Sequence, residues 1–111
     1  MIKALPHKKG DFLEFYRAEL INRIEIPIGT AFKLESLRQA VIPSYLMLMP
    51  FIELPQGIVL EDQFPLDEDG IHGCIYQLKA MEVCEGDIII GFRDIRTNEV
   101  THHKLIHLKA Y

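Results

Sequence analysis

Short runs in which an apolar residue falls at every second position constrain this chain more than any other feature. Ile24, Ile26 and Ile28 alternate with Arg23, Glu25 and Pro27, and Phe32, Leu34 and Ser36 oppose Lys33 and Glu35. Tyr76, Leu78 and Ala80 alternate with Gln77 and Lys79, and Ile88, Ile90 and Phe92 follow in the same rhythm. Near the end, Lys104, Ile106, Leu108 and Ala110 stand opposite Leu105, His107 and Lys109. A period of two gathers the apolar set on one face of a β-strand, whereas a helix would scatter it around the axis. Turn signals separate the runs at Gly29-Thr30, Pro55-Gln56-Gly57 and Glu85-Gly86-Asp87. About seven such strands, each with one face to bury, predict an all-β fold, an antiparallel immunoglobulin-like β-sandwich.

The 111 residues suit one domain over 1–111. Residues 1–19 form an N-terminal extension ahead of the first clear strand. There Asp11 and Glu14 fit a capping box, and Phe12, Phe15, Tyr16, Leu20 and Ile24 fall near helical spacing. A short helix is expected, with an extra strand as the other option. The stretch QAVIPSYLMLMPF, residues 39–51, is apolar on both sides of Tyr45–Met49 and carries Pro43 and Pro50. It reads as a strand entered from a proline-bearing loop and ended by Pro50. Such a strand is either central and covered twice or turns one face to a partner.

Composition narrows the function. Twelve basic and sixteen acidic residues give a net charge of -4, which opposes the attraction to phosphates that nucleic-acid binding requires. No apolar run reaches the roughly 20 residues that span a bilayer, and the start lacks the h-region of a secretory signal, so a cytoplasmic location is expected. Cys74 and Cys84 have no CxxC partner motif and read as free thiols, with a single Cys74–Cys84 bridge as the alternative if the chain is exported. His103 and His107 share a strand face but stand about 13 Å apart at ~3.3 Å per residue, too far for one ion. The acidic run at 66–70 fails the EF-hand spacing. With no G-x-S-x-G, Walker, G-x-G-x-x-G or H-E-x-x-H signature, neither an enzyme, a cofactor nor a metal is expected.

The order of features from Gly29 to Ala110 resembles the chagasin-type inhibitors of papain-like cysteine proteases. Their three loop motifs, N-P-T-T-G-Y, G-x-G-G and R-P-W, correspond to QAVIPSY, GIHG and RDI in this sequence. Tyr45 keeps its place in the first, Gly70 and Gly73 are the outer glycines of the second, and Arg93 begins the third, where Asp94 and Ile95 replace proline and tryptophan. The resemblance implies a non-covalent inhibitor that places three loops in the protease cleft, with contacts from Val41, Ile42, Pro43, Ser44 and Tyr45, from Gly70, Ile71, His72 and Gly73, and from Arg93, Asp94 and Ile95. Pro43 would stiffen the first loop and Tyr45 would anchor it. Arg93 and Asp94 would form rim contacts or a self-contained surface ion pair. The implied partner is a papain-like protease and the implied state a monomer. The alternative is an immunoglobulin-like interaction or assembly module, a homodimer included, that docks through the apolar strand 45–49.

Overall fold

The computed structural model describes residues 13–39, 48–68 and 70–111. Eight strands follow one another: β1 (Leu13–Arg17), β2 (Arg23–Ile26), β3 (Ala31–Gln39), β4 (Leu48–Glu53), β5 (Ile58–Glu68), β6 (Ile71–Ala80), β7 (Cys84–Asp94) and β8 (Val100–Ala110). They form two four-stranded sheets, ordered β1-β3-β6-β5 and β2-β8-β7-β4. The all-β sandwich expected from the alternation is what forms. Phe32, Leu34, Tyr76, Leu78, Ile88, Ile90, Ile106 and Leu108 turn inward, and all are essentially inaccessible to solvent. Cys74 and Ala80 complete the inward row of β6.

One flank of each sheet is parallel. β1 runs alongside β3 and β2 alongside β8, with Leu13 opposite Ala31 and Arg23 opposite His107. The expected N-terminal helix is therefore replaced by a strand and a 3₁₀ turn at Ala18–Leu20. Edge pairing wins here because Tyr16 packs edge-on against Phe32 with 6.1 Å between ring centroids, and Ala18 is buried. The turn carries the chain from one sheet to the other, and the Lys104 ammonium donates to the Ala18 carbonyl at 2.7 Å. Ile28 lies beyond β2 and is exposed.

Two proline and turn readings also change. Pro50 sits inside β4, opposite Phe92, instead of ending it. β4 is an edge strand, where a missing N–H need not face a neighbour, so Leu48 and Met49, the described part of the strand expected over 45–49, do not belong to a central strand. Residues 45–47 lie outside the described residues. Glu85-Gly86-Asp87 belongs to β7, and the bend falls just before it at Glu82 and Val83.

Glu85 and Asp87 project from the outer face of β7 toward His107 of β8. The His107 ring lies between them, with Nε2 2.6 Å from Glu85 and Nδ1 3.2 Å from Asp87. These contacts, Glu85 first, raise the His107 pKa above its usual 6.5, and His107 lowers that of Glu85. A raised native histidine value stabilises the fold most fully below about pH 6.5, where the unfolded chain also binds the proton, and that gain is lost as pH rises through the native value. Chemical denaturation from pH 6 to 9 is expected to show a decline in stability that His107→Gln flattens. An unchanged pH profile in the variant would assign the decline to other groups.

Candidate functional site

The registers bring the second and third predicted connections to one end of the sandwich. In the first sheet Gln39, Ile71 and Glu68 lie side by side across β3, β6 and β5. In the second, Leu48 stands opposite Asp94, and Arg93 opposite Val100. The same end thus holds the close of β3 and the start of β4, and so both anchors of the connection containing Val41–Tyr45. Those five residues themselves lie outside the described residues.

The second motif is largely strand. Gly70, at φ +76°, makes the turn between β5 and β6, a conformation glycine takes without a Cβ penalty. Ile71, His72 and Gly73 are already the first residues of β6. They pair on both sides, with Gln39, Arg38 and Leu37 of β3 and with Glu68, Asp67 and Leu66 of β5. The expected four-residue loop is therefore a tight hairpin. Gly73 also has an internal reason to be glycine: a Cβ there would run into the Ser36 carbonyl oxygen and the Leu37 backbone of the adjacent strand.

The third connection is braced by its own polar groups. The Asn98 N–H donates to the Asp94 carbonyl at 2.6 Å, and the Asp94 N–H donates to the Glu99 carbonyl at 2.8 Å. Asn98 takes φ 65°, which asparagine tolerates better than most residues. The Arg96 guanidinium grips Asp94 through Nε to Oδ1 at 3.1 Å and Nη2 to Oδ2 at 2.8 Å. Those bonds hold the Asp94 carboxyl at about 2. The ion pair expected between Arg93 and Asp94 is thus formed by Arg96. Arg93 instead lies 4.6 Å above the Phe51 ring and donates to the Asn98 side-chain oxygen at 3.0 Å. Ile95 projects from this frame, 56% exposed.

Beneath the connections the two layers touch. His72 reaches from β6 to the Leu48 carbonyl of β4 at 2.6 Å. Its ring stands 5.8 Å from that of Phe92 in β7, and the Arg38 guanidinium of β3 lies 5.7 Å from the same ring. Sequence reasoning placed His72 at a surface where its side chain would face a partner. The inward alternation with Cys74 and Tyr76 was the signal that it turns toward the opposite sheet.

Cys74 is buried and unpaired with Cys84, and burial pushes its thiol pKa up, away from the thiolate a nucleophile needs. The cavity between the layers, lined by Ala18, Ser36, Arg38, Phe92 and Lys104, holds about 140 Å³. Small-molecule sites usually run from about 300 to 1,000 Å³. Two more open surface grooves match that size, one of about 520 Å³ beside Arg17, Glu35 and Ile71 and one of about 490 Å³ beside Tyr16, Glu25 and Tyr111. Among the described residues no group of three or more His, Cys, Asp or Glu side chains is placed to hold a metal ion.

This architecture is an immunoglobulin-like β-sandwich of two mixed sheets. It is similar to the cysteine protease inhibitor EhICP2 from Entamoeba histolytica, with a TM-score of 0.67 and 16% identity over 89% of this chain and 95% of that one. Amebosin, known from its solution structure, matches with a TM-score of 0.42 and 14% identity over 87% of this chain and 95% of its own. No protein-family pattern and no characterised protein matches by sequence. The likeness to EhICP2 bears out the sandwich that the chagasin-type resemblance implies.

Gly73→Ala tests the framework of this end. Overpacking against β3 is expected to lower stability by about 1–3 kcal/mol, measured by urea denaturation, and a neutral effect would mean that the strands separate easily at this point.

Proposed function

We propose that the protein is a protein-binding sandwich that reversibly and non-covalently blocks papain-like cysteine proteases, entering the cleft with the end that carries the connections around 40–47, 70 and 95–98. The observation that carries this reading is the convergence of the strand ends at Gln39, Leu48, Gly70 and Asp94 on one pole of the sandwich. The shared fold with a cysteine protease inhibitor supports it.

A blocking protein gains affinity by losing little freedom on binding. The Asp94–Arg96 grip and the two backbone bonds across Asp94–Glu99 fix the third connection before any partner arrives. The exposed Ile95 then supplies apolar surface at low entropic cost. An interface of about 800 Å² per partner is the ordinary size for such a complex. The contacts of Val41–Tyr45 belong to this proposal as the resemblance assigns them.

Titration against papain and a cathepsin tests the reading. Inhibition at or below micromolar protein is expected, with a monomer on size exclusion. Ile95→Asp, Tyr45→Ala and Pro43→Gly should each weaken it about tenfold or more, with melting temperatures nearly unchanged. Absence of inhibition by the unaltered protein overturns the proposal, and a stable dimer would instead favour docking through β4, where Met49 is 51% exposed on an edge strand.

A further inference from the structure

His72 stands on β6 yet touches β4, β5 and β7, elements that flank each of the three connections. Its Nε2 faces the Leu48 carbonyl at 2.6 Å. A carbonyl oxygen only accepts, so Nε2 carries the proton and donates. The other ring nitrogen, Nδ1, faces Asp67 of β5 at 3.8 Å. The ring packs against Phe92 of β7, two residues before Asp94.

β4 lies at the edge of its sheet and is held along one side by β7, beginning with Leu48 opposite Asp94. The His72 bond adds a tether from the other sheet at that first residue. Leu48 is the first residue of β4. The position of its carbonyl therefore sets where β4 begins against the opposite sheet.

We propose that His72 is the positioning residue of this end of the molecule: by holding the Leu48 carbonyl it seats β4 against β6, and the affinity for a papain-like protease depends on that seat. The inference rests on the inhibitor reading above for its partner. Its mechanical part is independent of any partner. Because Nε2–H is present in both the neutral and the protonated ring, the tether needs no charge.

His72→Phe keeps a ring against Phe92 and removes the donor, whereas His72→Gln keeps an N–H donor and removes the ring. Two readouts are compared: amide hydrogen exchange of the free protein across β4, Leu48–Glu53, and the dissociation rate from papain. His72→Phe is expected to exchange about tenfold faster over that segment and to dissociate about tenfold faster, with His72→Gln recovering most of both. Unchanged exchange in His72→Phe overturns the proposal, as does faster exchange with unaltered dissociation. Unfolding of His72→Phe beside a wild-type-like His72→Gln would make the contact plain framework and overturn it too. If the unaltered protein does not bind papain, the inhibitor reading fails, while the exchange result still decides whether His72 seats β4.

Discussion

Phe32 and Leu34 of β3, Tyr76 and Leu78 of β6, Ile88 and Ile90 of β7, and Ile106 and Leu108 of β8 form one continuous apolar interface, and burying it holds the two sheets in a single alignment. Each such side chain contributes about 1.5–3 kcal/mol when fully removed from water. A slip of any of these strands by one residue would turn its whole inward row to solvent. Because all four central strands carry such a row, their registers are fixed together. The gathering of strand ends at one pole follows from that alignment.

The same interface explains which features could be read in the chain. Of the five runs whose alternation is clear in the sequence, four are the central strands, buried on one face and paired on both sides, and the fifth, at Ile24 and Ile26, is the edge strand β2. The flanks were less legible. Leu13–Arg17 carries a helix-like spacing and is a strand because β3 offers it an open edge, a circumstance that no local pattern encodes. Ile71–Gly73 reads as a loop because two glycines frame it, yet β6 already begins at Ile71 and Gly70 lies in the turn before it. Gly73 answers to the nearness of Ser36, which only the folded register creates. Arg96 was hidden for a related reason: the eye pairs Arg93 with the adjacent Asp94, but consecutive residues of a strand point to opposite faces.

The outer strands also show how the sandwich limits association through its edges. β5 is long and lies at the rim of its sheet, yet its pairing is interrupted by a register shift between Leu60 and Asp62, and Pro65 interrupts its donors. Glu61, Asp62 and Asp67 add exposed charge along it. On the other sheet Pro50 does the same for β4. These are common means of discouraging edge-to-edge pairing.

The placement of β8 carries a consequence for how the molecule can be made. β8 lies between β2 and β7, so the partner that zips along Arg23–Ile26 is His107–Ala110, the pairing most distant along the chain among the described residues. During synthesis the first sheet has all four of its strands once Ala80 has emerged, but the second has a gap at its centre until the stretch through Ala110 is available. Until β8 is in place, no strand joins Ile24 and Ile26 of β2 to Ile88 and Ile90 of β7 within the second sheet. Non-local β pairings of this sort are slow to form, and the interval is when this chain depends most on being kept apart from its neighbours.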